Sequence, residues 1–158
     1  MRRKDREILD VEDIINIIDK SDICRLAMVD GSKPYVVPMN FGYEYDGDTL
    51  ILYFHGAREG KKIDILQKNS NVCFEIDTSH ELITDDIASK YGYKYESVIG
   101  DGMVEFIENV NDKVYALSKL MKHVGGENAP TNFDDKILSI VAVFKVSVNS
   151  FTGKRCSS

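Results

Sequence analysis

The chain has 158 residues, 43% of them apolar, and carries 20 Lys and Arg against 26 Asp and Glu, for a formal charge of −6. That length suits a single domain spanning residues 1–158, able to bury roughly 70% of the surface its unfolded chain exposes, so neither disulfides nor a structural metal are needed to hold it. No apolar run approaches the roughly 18 residues of a membrane span, and Met1-Arg2-Arg3-Lys4 leads into polar sequence, so a cytoplasmic protein with no membrane partner is expected.

Val11, Ile14, Ile15 and Ile18 recur at helical spacing behind Asp10, a good N-cap, and predict a helix over 10–20. Ile23–Val29 reads as a strand ended by a turn at Asp30-Gly31. Residues 34–45 alternate, with Val37, Met39, Phe41, Tyr43 and Tyr45 on one side, and Asp46-Gly47-Asp48 turns the chain into a second strand over 49–54. Pro38 lacks the N–H a ladder needs, which puts its strand at an edge or a bulge. A helix is predicted over 58–68, then a strand over 72–76. Residues 78–95 are polar and poorly periodic and read as a long excursion with one helical turn. A strand over 95–107 contains Gly100 and Gly102, signs of a bulge or a close backbone approach. Val110, Val114, Leu117, Met121 and Val124 mark a third helix stopped by Gly125-Gly126, and 137–148 reads as the final strand. Six strands and three helices in the order αβββαββαβ are too few helices to cover both faces of a parallel sheet. A mainly β fold with added helices, a mostly antiparallel barrel with the helices at its periphery, is expected.

The charge is unevenly placed. Residues 75–108 hold nine acids and two lysines, a net of −7, whereas small basic clusters stand at 2–6, 58–62 and 154–155. General nucleic-acid binding is therefore disfavoured. Cys24, Cys73 and Cys156 match no C-x-x-C spacing, and His55, His80 and His123 match no metal-ligand pattern, so no metal site is expected. No nucleophile elbow, phosphate-binding loop, dinucleotide fingerprint or paired-carboxylate motif is present.

The most informative stretch is Tyr53-Phe54-His55-Gly56-Ala57-Arg58-Glu59-Gly60-Lys61-Lys62, which runs from strand through a glycine turn into a helix start. A helix N-terminus offers free N–H groups and the positive end of the dipole, which suit a phosphate. Arg58, Lys61 and Lys62 add positive charge where it is normally disfavoured, and an anion would neutralise them; an ordinary solvated helix face is the other reading. His55, at the strand's end, reads either as a hydrogen-bonding or acid–base group beside a ligand or as a core-edge histidine. Ser97 could offer a hydroxyl to the same ligand.

Taken in order, Cys24-Arg25-Leu26-Ala27-Met28, Pro34-Tyr35-Val36-Val37-Pro38, Phe41-Gly42-Tyr43, Tyr53-Phe54-His55-Gly56-Ala57, Gly60-Lys61-Lys62, Val72-Cys73-Phe74-Glu75 and Tyr95-Glu96-Ser97-Val98-Ile99-Gly100 resemble the pyridoxamine 5′-phosphate oxidase-like flavoproteins, and within them the 5-nitroimidazole-resistance (Nim) branch. The resemblance implies a six-stranded antiparallel split β-barrel that forms a homodimer and binds FMN between its subunits. It implies that Val37, Pro38, Met39 and Asn40 run along the flavin ring, that Tyr53 and His55 border it, and that His55 is the catalytic candidate. Lys62 takes the place of the phosphate lysine with Lys61 before it, and Ser97 the place where the oxidase branch has a cofactor-contacting glutamine. The oxidase branch also has an arginine where this chain has Val37, which points away from pyridoxamine phosphate and towards an FMN-dependent oxidoreductase for a small acceptor, nitro-aromatics included. The alternatives are a non-catalytic flavin, haem or deazaflavin binding or shuttling protein, and a barrel serving only as a dimeric interaction unit.

Overall fold

A computed structural model describes residues 2–157. Among these, eight strands form one wholly antiparallel sheet, two more than the six expected. In chain order they are β1 (Glu7–Ile8), β2 (Cys24–Asp30), β3 (Lys33–Met39), β4 (Gly42–Tyr45), β5 (Leu50–Ala57), β6 (Asn71–Ile83), β7 (Gly92–Ile107) and β8 (Val141–Cys156). The helices are α1 (Val11–Asp19), α2 (Lys61–Lys68), α3 (Val110–Gly125) and α4 (Asp135–Ile140). The sheet runs β3-β2-β6-β7-β8-β5-β4, with β1 paired to the far end of β8.

The stretch 34–45 is two strands rather than one. β3 pairs with β2 at one end of the sheet, and β4 pairs with β5 at the other. Alternation continues through the corner because it reports which way side chains face, whatever strand lies alongside. Pro38 sits on the edge strand, as its missing N–H predicts, opposite Arg25 of β2. The predicted excursion is mostly strand: β6 and β7 continue as a two-stranded arm past a bulge between Thr78 and Glu81, where Ser79 has φ of 59°, and only 84–91 form its tip. The final strand begins later than expected, because Asp134 caps the short helix α4, its side chain accepting from the Lys136 N–H, and β8 then runs on to Cys156.

The barrel interior takes the inward residues of every long strand, including Leu26, Phe54, Phe74, Ile76, Val98, Phe144 and Val146, all fully buried. Phe54 stacks on Phe144 at 5.4 Å between ring centroids. Ile14, Ile17 and Ile18 of α1 join this core, while α3 and α4 cover a second cluster on the outside of the sheet, made by Tyr53, Ala116, Leu117, Leu138 and Val143. α3 crosses β4 so closely that a Cβ at Gly42 would lie 2.4 Å from the Leu120 backbone nitrogen. Gly100 and Gly102 fulfil both sequence signals: the register shifts at Asp101/Gly102, and a Cβ on Gly100 would lie 2.5 Å from the Phe74 ring.

Gly42→Ala should therefore destabilise the fold by about 2–3 kcal/mol, since backbone rather than a flexible side chain occupies the space. Urea denaturation at constant m-value is the measurement; an unchanged midpoint would contradict this packing.

Candidate functional site

β5 alternates sharply. Leu52 and Phe54 point into the barrel, and Tyr53 and His55 point outward. After β5 the chain turns through Gly60, whose φ of 125° suits a residue without a side chain, and enters α2 with no side-chain cap at that end. The first-turn N–H groups of Lys61 and Lys62 have no intrahelical acceptor and point out of the helix. Arg58 lies before the helix rather than in its first turn.

The end of the Lys62 side chain lies against β5 at Gly56, where a Cβ would come within 3.0 Å of Cε and 3.1 Å of Nζ. Among the described residues Lys62 forms no ion pair, in contrast to Lys61 and Arg58. Partial burial, reinforced by the Lys62 charge, holds the His55 imidazole below its ordinary range and so neutral near pH 7. Lys61 stands 3.4 Å from Asp30 and over the Tyr35 ring at 4.7 Å. Tyr35 precedes Val37 by two residues on β3, so the start of α2 is tied to the outer edge of the sheet as well as to the end of β5.

Among the residues singled out in the sequence, the fold thus gathers His55, Lys61 and Lys62 with the neighbouring strand β3. On that strand Val37 is half-buried, Pro38 exposed and Met39 buried. Asn40 is exposed, and its side-chain amide donates to the Asp22 carbonyl at 3.0 Å, holding the corner. Tyr53 is 5% exposed and lies beneath α3, where its hydroxyl donates to Glu44 at 2.6 Å. Tyr115 donates to the same carboxylate at 2.5 Å and Lys119 pairs with it at 3.0 Å. Ser97 lies elsewhere. It pairs with Asp77 and Lys154, whereas the level of His55 on β8 and β7 is Val143 and Ile107. Ten residues of β7 separate Ser97 from that level, roughly 33 Å of strand.

Arg58 also leaves the lysines, reaching towards Glu108 at 3.4 Å. Sequence reading missed Asp30, Tyr35, Glu44 and Glu108, because each partner comes from a distant segment and no local spacing announces it. Chemically, the start of α2 brings together uncapped N–H groups, an ammonium without a carboxylate partner among the described residues, and a neutral imidazole beside it, a set of groups that suits an anion. Among the described residues no three His, Cys, Asp or Glu side chains cluster as metal ligands. No helix among them is long and apolar enough to cross a membrane.

The family model described as pyridoxamine 5′-phosphate oxidase matches residues 10–155. A solved structure from Bacteroides thetaiotaomicron, described as a candidate 5-nitroimidazole antibiotic resistance protein, is 39% identical with a TM-score of 0.82, covering 94% of this chain and 86% of its own. A flavocytochrome from Azotobacter vinelandii (20% identity, TM-score 0.81, 100% of this chain and 72% of that one) shares the fold. So does an FAD- and haem-binding protein from Mycobacterium smegmatis (16%, TM-score 0.81, 97% and 74%). No curated protein matches the chain.

Lys62→Ala removes a positive charge beside His55, so the imidazole pKa should move up towards its ordinary value of about 6.5. An NMR titration of the histidine ring protons, with His55→Gln to assign the resonance, measures the shift. A pKa that stays in place would mean that the ammonium does not act on His55.

Proposed function

The chain belongs to the pyridoxamine 5′-phosphate oxidase family, and on that footing we propose that it is a flavoprotein that holds FMN at the start of α2 and reduces a small acceptor, nitro-aromatics included. The observation that carries this reading is Lys62: an ammonium with no ion-pair partner among the described residues, folded against Gly56 at an uncapped helix start. A phosphate supplies the missing counter-charge and accepts from the free N–H groups. The neighbouring edge strand fits the rest of the group. β3 pairs on one side only, so half of the backbone donors and acceptors around Val37–Asn40 are free for a planar heterocycle.

Bound flavin would supply the electron transfer; the protein binds, orients and tunes it. His55, neutral near pH 7, would offer the bound group a hydrogen-bonding side chain, and a phosphate that neutralises Lys62 would raise its basicity and let it carry a proton. Tyr53 braces this end of β5 from beneath α3 through Glu44.

The same reading includes a homodimer with the cofactor shared between subunits. Two observations support it. Ser97 is too far along β7 to meet Lys62 of its own chain, so a role for it at the FMN would require a second copy. The outer face of β3-β2-β6-β7 also leaves Val29, Val36, Ile99 and Met103 about half exposed, which a second copy would cover.

The freshly purified protein should be yellow, and Lys61→Ala combined with Lys62→Ala should weaken FMN binding at least tenfold, read by fluorescence titration. A colourless protein that takes up no added FMN would sink the reading. Stopped-flow reduction with NADH or NADPH and reoxidation by a nitro-aromatic separate turnover from mere binding of flavin, haem or deazaflavin.

A further inference from the structure

The basic cluster at 58–62 faces two ways, and its Arg58 end opens on a different cavity. A hollow of about 300 Å³ lies between α2, the start of α3 and the ends of β7 and β8. Its floor includes Ile63, Phe106 and Val143, and the charged groups lining it are Arg58, Glu108 and Lys113. Lys113 is the anomaly. It is only 4% exposed, in the first turn of α3, where the dipole already disfavours a cation and Asn109 already caps the free N–H groups of Asn111 and Asp112.

A buried ammonium needs close partners for three donors. Those of Lys113 are distant: the Val141 carbonyl at 3.5 Å and Glu108 Oε2 at 3.9 Å. Arg58 stands 3.4 Å from that same Oε2. One carboxylate, itself 75% exposed, therefore serves two cations at the outer limit of contact, and leaves the site with a net charge of +1. The Arg58–Glu108 pair is exposed on both sides, contributes little to stability and can readily be displaced.

We propose that this cavity is a second anion site, built for a small organic monocarboxylate with an apolar body. The charge selects a monoanion, since one further negative charge balances Arg58, Lys113 and Glu108, whereas a dianion would overshoot. The apolar floor selects a body of ring or short-chain size, and the volume stands at the lower end of those that hold small molecules. Arg58 offers a planar fork for both carboxylate oxygens, and Lys113 a donor from below. Lys62 takes no part, so this site and the FMN seat are distinct.

Benzoate is the probe, titrated calorimetrically into the protein with its bound cofactor. One benzoate per chain is expected, with binding at least tenfold weaker in Lys113→Met and in Arg58→Gln. Glu108→Gln removes the internal competitor and should tighten binding severalfold. Arg58 is a half-exposed surface side chain, so its variant keeps the test valid if Lys113→Met fails to fold. Benzamide, isosteric but neutral, should bind at least tenfold more weakly than benzoate. Absence of benzoate binding, equal affinity in Arg58→Gln, weaker binding in Glu108→Gln, or phosphate binding more tightly than benzoate would each overturn the assignment. The visible absorbance of bound flavin, followed in the same samples, reports the FMN reading separately.

Discussion

Everything in this fold depends on the corner at Asn40-Phe41. β3 and β4 are the two ends of a seven-strand path, yet only two residues separate them. Laid flat, that path would be roughly 29 Å wide, and three Cα steps reach only about 11 Å. The sheet has to curl until its ends nearly meet, which produces a barrel whose opening is the unpaired gap between β3 and β4. Phe41 is driven fully into the interior at that point, 6.4 Å from Phe54, while Asn40 ties the corner to the Asp22 carbonyl. His123 of α3 fastens the outside, its ring 4.6 Å from that of Phe41 and its Nε2 2.8 Å from the Ser21 carbonyl.

The corner also explains which parts of the fold could be read from sequence. Residues 37 to 45 keep their inward alternation across it, so the pattern showed strand character and facing correctly but hid the exchange of partners. Beyond Thr78 the reverse holds. The arm of β6 and β7 has no core to face, Leu82 and Tyr93 are more than half exposed, and its strands are held by pairing and by Lys94–Glu81 contacts. Hydrophobic periodicity has nothing to report there. At 137–140 the local signal was apolar and β-like, and the Asp134 cap decided for helix with only Leu138 buried.

Charge shows the same division between local and long-range information. The acidic character of 75–108 is spent largely across strands: Glu75 and Asp77 both accept from Arg25, Glu96 from Arg155, and Glu105 pairs with Lys145. The segment is therefore less a field presented to a substrate than a set of sheet contacts. The basic cluster at 58–62 looks uniform in sequence, but the left-handed turn at Gly60 splits it. Arg58 falls on the Glu108 side, Lys61 reaches Asp30, and Lys62 is left beside His55 without a carboxylate. A basic cluster at a helix start was legible; its division among separate partners was not.

The last distinction concerns the two outward residues of β5. Tyr53 and His55 share one face, two residues apart, and by spacing either could meet a ligand. α3 separates their roles. The helix packs Ala116 and Leu117 over Tyr53, and Glu44, Tyr115 and Lys119 close round its hydroxyl. Burial and the Glu44 carboxylate hold the Tyr53 phenol far above its ordinary pKa, so it stays a hydrogen-bond donor fixed in place. His55 escapes this cover, remains exposed, and has Lys62 as its charged neighbour. The same helix that anchors β5 through Tyr53 therefore leaves His55 as the uncovered side chain on that face, next to the start of α2.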